Sequence, residues 1–307
     1  MQTNIHETFA ASGYVAIPPV MGAAEIDIYR KRLAEAFGTP PRAELGDSQE
    51  VRNLILSRMP WTADLFFSNA VQRHVRELLG DDYVIFPDNS IMDSQYGDWH
   101  TDTTSSELAG QSFRSNPDFA LVNVAFYFQP NNEFGGGLDV VPGSHLIPDV
   151  FLDLVRRKNE AYRESLANPS PATRSLGDRF RDLLRPLIPE PVLLARRRRA
   201  ERFALPMKSA STQPGQVTID HAPGGIVMFD LRLYHKASWP NVPRPFPEHG
   251  RKYAMFVICG KNNETSRQYR RYLSIRAETE PAYAGMIGQS NPDWLMERAR
   301  EAKATFL

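Results

Sequence analysis

The chain has 307 residues, 42% of them hydrophobic and 23% charged, which describes an ordinary soluble globular protein with room for one large domain or two small ones. Its 36 acidic and 36 basic side chains balance, so whole-molecule charge argues for neither nucleic acid nor a membrane as partner. A single cysteine, Cys259, excludes an internal disulfide framework and a cysteine-based zinc site, and it suits a reducing cytoplasm.

The N-terminal MQTNIHETFA is polar and lacks a secretory pattern, and no run of about 18 apolar residues offers a membrane span. Gly13–Ile17 reads as a short strand stopped by Pro18-Pro19. After Gly22, the spacing of Ile26, Tyr29, Leu33 and Phe37 predicts a helix ending at Gly38. A second helical periodicity runs through Trp61–Leu79 to Gly80 and leaves His74 on its surface. From Tyr83 the texture turns to strand: Tyr83–Phe86, Asn89–Met92, and then the longest run, Asp118–Gln129. In that run Val122, Val124, Phe126 and Phe128 form a wholly apolar face. The other face holds Leu121, Asn123, Ala125 and Tyr127 and carries polar groups toward a solvated interior. A glycine turn, Pro130–Gly137, leads into the strand Leu138–Val141.

Residues 146–214 interrupt the strand pattern with helical periodicity and prolines. Strand texture returns at Gly215–Ile219, at Gly225–Asp230 running on to His235, and at Arg251–Gly260. The chain is then helical and polar over 262–307, with a last helix opening at Asn291-Pro292. Short strands split by a helical insert predict a mainly β fold, a sandwich or barrel of antiparallel strands with flanking helices, read as one domain over 1–307.

Within YGDWHTD (Tyr96–Asp102), His100 and Asp102 stand at i and i+2. In an extended chain both side chains point to one side, about 6–7 Å apart at the backbone. His235 follows a strand much later, and Arg251 begins another. Two histidines and one carboxylate make the facial set that holds iron(II) with positions left open, and a donor set without thiolate suits that ion better than structural zinc. A guanidinium nearby can fork onto a carboxylate through two hydrogen bonds. Any one of these signals is weak alone; their order and context make the series.

The series resembles the phytanoyl-CoA dioxygenase family of iron(II)/2-oxoglutarate oxygenases. The residues that carry the resemblance are His100-Thr-Asp102, Gly136–His145 (GGLDVVPGSH), and Gly225–Phe229 with His235, Asn241 and Arg251. The resemblance implies a double-stranded β-helix (jelly-roll, cupin-like) core with a helical insert. It puts Fe(II) on His100, Asp102 and His235, with 2-oxoglutarate and O2 as cosubstrates and Arg251 on the distal carboxylate of 2-oxoglutarate. It also implies oxidation, by preference hydroxylation, of a small organic molecule with release of succinate and CO2. Halogenating relatives carry a small residue in place of the carboxylate, so Asp102 favours hydroxylation. The family name does not specify the substrate.

Arg251 is preferred over Arg244 because it begins a β-like run, whereas Arg244 lies between two prolines. Lys236 and Ala237 stand where relatives often carry glycine and a hydroxyl residue, which makes Ser238 the candidate hydroxyl contact. Asn123 and Tyr127 are candidate pocket-lining residues, with the insert and the C-terminal helices as walls. His145 reads as a turn residue, His221 as a loop residue, and Arg196–Arg199 as a solvated helical face without the interleaved aromatics of a single-strand-binding surface. The rival reading is a non-catalytic jelly roll that binds a metal or small ligand. The sequence carries no signal for an oligomeric state.

Overall fold

A computed structural model describes residues 4–37, 49–94, 96–97, 99–103, 113–147, 213–242, 250–279, 283 and 285–307. Most of the 146–214 insert, including Arg196–Arg199, lies outside these residues, as do Arg244 and Gly38.

The chain opens with α1 (Ile5–Ser12), β1 (Tyr14–Ile17) and α2 (Ala23–Ala36). Gly13, at φ 81°, turns the chain from helix to strand in the left-handed region that glycine enters without penalty. After β2 (Gln49–Arg52) come α3 (Ile55–Arg58), α4 (Pro60–Phe66) and α5 (Asn69–Leu79). The periodicity at 61–79 thus covers two helices rather than one, broken at Phe67-Ser68. The two strand signals at 83–92 are one long strand, β3 (Tyr83–Asp93), with a register shift against its partner between Ile85 and Asn89. Then follow β4 (Leu121–Tyr127), β5 (Leu138–Val140), β6 (Val217–Thr218), β7 (Ile226–Asp230), β8 (His235–Ala237) and β9 (Tyr253–Gly260). The chain closes with α6 (Glu264–Thr279), α7 (Asp293–Glu301) and β10 (Ala304–Phe306). Pro292 is the N-cap of α7 rather than its first residue.

The strands form two sheets. The larger runs β1-β7-β4-β9-β3-β10, with β2 also on β3, and is antiparallel except for the β10–β3 pair. The smaller runs β6-β5-β8. The alternation read from β4 sets the layers. Val122, Val124, Phe126 and Phe128 join Tyr253, Met255 and Val257 under the helices, in a core that includes Leu33, Phe66 and Val75. Ala125 and Tyr127 face the other way and share a second core with Val227, Phe229, Ala254, Leu138 and Val140, between the two sheets. At the far end of the same inner face, α6 takes over from the small sheet, packing Tyr269, Tyr272 and Leu273 on Phe86, Leu121 and Ile258. The result is the expected jelly roll with flanking helices. Among the described residues no helix is long and apolar enough to cross a membrane.

One expected strand divides. Ile226–His235 is not continuous: β7 ends at Asp230, and a turn closed by Leu233 N–H on the Asp230 carbonyl (2.8 Å) carries the chain from the large sheet to the small one. Asp230 fixes that turn through the Arg232 guanidinium (2.7 and 3.0 Å) and the Arg232 backbone N–H (2.8 Å). His235 therefore begins β8 instead of ending β7, and this change of sheet aims it inward.

Candidate metal centre

His100 and His235 exchange both backbone hydrogen bonds at 2.9 Å, so the YGDWHTD segment extends the small sheet beside β8. Aromatic packing holds the segment there. Trp99 stacks on Tyr234 (centroids 5.1 Å apart), Trp239 donates to the Gly97 carbonyl (3.0 Å), and the Tyr96 hydroxyl donates to the Phe134 carbonyl (2.7 Å). Asp102 lies in the turn that follows.

The three expected ligands converge. Asp102 Oδ1 is 3.5 Å from His100 Nε2 and 3.7 Å from His235 Nε2, and one ligand atom from each residue lies within 4.8 Å of the others. The outer contacts suit a cation. His235 Nδ1 lies 2.8 Å from the Leu233 carbonyl, which can only accept, so Nδ1 carries the proton and the Nε2 lone pair faces the cluster. Asn123 donates to Asp102 Oδ2 at 3.2 Å and leaves Oδ1 directed at the two imidazoles. His235 is 5% exposed and His100 45%, so the cluster opens toward solvent past His100.

Charge points the same way. Burial pushes the His235 imidazolium down to about 4, with His100 adding to the effect and Asp102 opposing it. Burial acts to raise Asp102, but His235, His100 and the Asn123 hydrogen bond outweigh it and hold the carboxyl at about 2. At neutral pH the site thus holds an anionic carboxylate and a neutral His235, the protonation states that ligate a divalent cation. A pH dependence follows for the metal-free protein. Because the folded value for His235 lies below the ordinary 6.5, the unfolded chain takes up the proton first, and stability falls as pH drops from about 6.5 to about 4. The loss is at most about 3 kcal/mol. Urea unfolding at several pH values across that window should show the loss, and His235→Gln should lessen it, leaving the part that the other buried histidines, His145 and His221, contribute; an equal slope in the variant contradicts it.

The other expected site residues divide. Asn123 reaches Asp102 directly. Tyr127, fully buried on the same face of β4, stacks on His221 (4.6 Å), and its hydroxyl finds no hydrogen-bond partner among the described residues. His221 lies in a loop, as expected, and is buried there against the Tyr127 ring. Ser238 does not join the cluster. Strand alternation puts His235 and Ala237 on one face of β8 and Ser238 on the other, where its hydroxyl donates to Asp139 (2.7 Å) and accepts from Asn131 (3.2 Å).

Arg251 also lies elsewhere. Its guanidinium forks onto the fully buried Asp93 and sits over the Tyr253 ring on the helix-facing side, where Arg30 covers the same ring. Lys252 takes the inward parity instead, with Ala254 and Phe256, and its ammonium lies over the rings of Tyr96 (5.2 Å) and Tyr127 (5.9 Å). The parity follows from the register of β9: small Ala254 pairs with Tyr127 across the sheet, and Lys252, two residues before Ala254, lies on the same side. His145 packs its ring over Gly13 and meets the Ala10 carbonyl (3.2 Å), a turn residue as expected.

The phytanoyl-CoA dioxygenase family model matches residues 9–241, three-quarters of the chain, including all three clustered residues. The chain belongs to this family. Solved structures similar to it include EctD from S. alaskensis with bound Fe, at 17% identity over 85% of this chain and 77% of that one (TM-score 0.50). EctD has also been solved with 2-oxoglutarate and 5-hydroxyectoine, at 19% identity over 85% and 76% (TM-score 0.50). HygX from Streptomyces hygroscopicus, with nickel and 2-oxoglutarate bound, matches at 13% identity over 85% and 88% (TM-score 0.51). At such identities the likeness concerns the fold. No curated protein matches the chain. Within this family member, the cleft of about 320 Å³ lined by Leu54, Asn89, Arg270 and Met286 contains none of the three clustered residues.

Proposed function

We propose that this chain is a non-haem iron(II), 2-oxoglutarate-dependent oxygenase that hydroxylates a small organic molecule. The observation that carries the reading is the convergence of His100, Asp102 and His235, with Asn123 and the Leu233 carbonyl orienting two of them. Family membership supports it, as do the iron and 2-oxoglutarate bound by EctD. When bound, iron(II) and 2-oxoglutarate would supply the oxidation that no side chain can perform, consuming O2 and releasing succinate and CO2.

The chain's own residues hold and orient. His100, Asp102 and His235 would hold the metal and leave its other positions to exchangeable ligands. The aromatic and aliphatic lining between the sheets excludes water, while exposed His100 marks the way in. On the α6 side, the Tyr269 hydroxyl donates to Asp88 (3.1 Å), and burial, with the charges of Asp88 and Asp102 adding to it, raises that phenol's pKa. Oxygen uptake and succinate formation, measured while small organic molecules are screened, should require both added Fe(II) and 2-oxoglutarate and should rise with one substrate class. A protein that binds both and consumes no oxygen with any substrate would instead be a non-catalytic binder.

A further inference from the structure

We propose that Asp88, oriented by Tyr269, anchors the substrate by accepting a hydrogen bond from its hydroxyl or amine group. The proposal rests on the iron/2-oxoglutarate reading of this site and names the chemical class that the site selects: a small molecule with an apolar body and a hydrogen-bond donor.

Three observations carry it. First, Asp88 stands on the metal's side of the large sheet. In β3, Phe86, Pro87 and Asp88 lie opposite the single Ile258 of β9, a bulge that keeps Phe86, Asp88 and Ser90 on the inner face. Ile258 pairs in turn with Asn123 of β4, which donates to Asp102. Asp88 thus lies two strand spacings from Asn123 on one face, about 10 Å.

Second, a chain of contacts joins Asp88 to the metal ligand. Arg114 donates to the hydroxyls of Thr101 and Thr103 (3.3 Å each), on either side of Asp102, and its neighbour Phe113 meets Tyr269 edge-on (5.9 Å). Tyr269 stands edge-on to Phe86 (4.8 Å) and donates to Asp88 Oδ2 (3.1 Å). Aromatic rings around a few placed polar groups are the make-up of a small-molecule site.

Third, the carboxylate is incomplete. Asp88 Oδ1 receives no hydrogen bond among the described residues and stays open to solvent, although the residue is half-buried. The two nearby cations have other partners: Arg52 donates to Glu50 (2.7 Å) and to the Tyr283 hydroxyl (2.8 Å), and Arg276 lies on the Tyr283 ring (3.6 Å). Burial raises the Asp88 carboxyl above its ordinary range, with Arg276, Arg52 and the Tyr269 hydroxyl opposing and Asp102 adding. A carboxylate held partly out of water with one oxygen open favours a ligand that donates to it and repels a second carboxylate.

The test uses benzylamine, benzyl alcohol and benzyl methyl ether, three probes with one apolar body, of which only the first two donate a hydrogen bond. Each is titrated by NMR into the full-length protein carrying Mn(II) and 2-oxoglutarate, and paramagnetic broadening of the probe signals reports binding near the metal. No turnover enters the readout. The ratio of dissociation constants, ether over donor, is taken within each preparation, which makes it independent of how much protein folds. The wild type should favour at least one donor by about 10- to 100-fold, the range for a hydrogen bond to a charged group. The donor it favours tells an alcohol site from an amine site. Asp88→Leu should bring the ratio close to one with Mn(II) binding unchanged, and Asp88→Asn, which keeps an acceptor without the charge, should fall between. A wild type that binds neither donor better than the ether, a favoured donor that is not broadened, or an Asp88→Leu protein that keeps the preference overturns the proposal. A wild type that takes up no Mn(II) overturns the metal reading instead.

Discussion

Asp102→Ala should lose iron binding and iron-dependent succinate formation together. Asp102 is the only anion of the cluster, and it lies 3.5 and 3.7 Å from the two imidazoles it would share a metal with. Without it two neutral rings must hold a divalent ion. Removing a partner that merely orients a ligand costs about 10–100-fold in metal affinity or activity, and losing the ligand itself should exceed that range. Asn123→Leu supplies the internal comparison. It removes the hydrogen bond to Asp102 Oδ2 and keeps the ligand, so its loss should fall inside the 10–100-fold range. Equilibrium dialysis against Fe(II) reads both variants. An Asp102→Ala protein that binds iron as well as Asn123→Leu would remove Asp102 from the metal.

Arg251→Met should be the most destabilising of the charge substitutions, and for reasons unrelated to chemistry at the metal. Asp93 is fully buried, and the substitution takes away the guanidinium that forks onto it. Breaking a buried pair from one side leaves an uncompensated charge and costs about 3–5 kcal/mol. For a chain of this size that corresponds to a fall in Tm of roughly 5–8 °C. Pairing Arg251→Met with Asp93→Leu should recover part of the loss, since removing both charges together is far less costly than stranding one. Thermal unfolding of the two single variants and the double variant checks this. Additive losses would mean that the pair contributes little, and Arg251 would then be available for another role.

The contrast between Arg251 and Lys252 shows where the sequence was legible and where it was not. The alternation in Leu121–Phe128 placed an apolar face under the helices and put Asn123 and Tyr127 inside, because an eight-residue run offers enough positions to define both faces. The stretch that begins with Arg251 offered no such calibration. Its outward positions, Tyr253, Met255 and Val257, and its inward ones, Ala254, Phe256 and Ile258, are apolar alike because both faces of this central strand are covered. Only the pairing of Ala254 with Tyr127 fixes the parity, and that register is a long-range contact. That one-residue parity decides which of the two basic side chains points between the sheets.

His235 was legible as a ligand candidate and illegible as a strand. The continuous β-prone run from Ile226 to Leu233 hides a turn that depends on Asp230 gripping Arg232, a contact with no hydrophobic signature. The same parity that places His235 turns Ser238 the other way: just past the end of β8, its hydroxyl donates to Asp139. The split of 61–79 into two helices was equally hidden, because Phe66 and Phe67 continue the apolar pattern across the break and meet each other edge-on (5.0 Å). The reading of 146–214 as a wall over the pocket falls on residues outside those described.

The central claim is that His100, Asp102 and His235 hold one iron(II). Anomalous diffraction at the iron edge, from crystals loaded anaerobically with Fe(II), tests it most directly. One iron peak is expected, within bonding distance of His100 Nε2, His235 Nε2 and an oxygen of Asp102. A peak elsewhere, or full loading with density away from these three atoms, would contradict it.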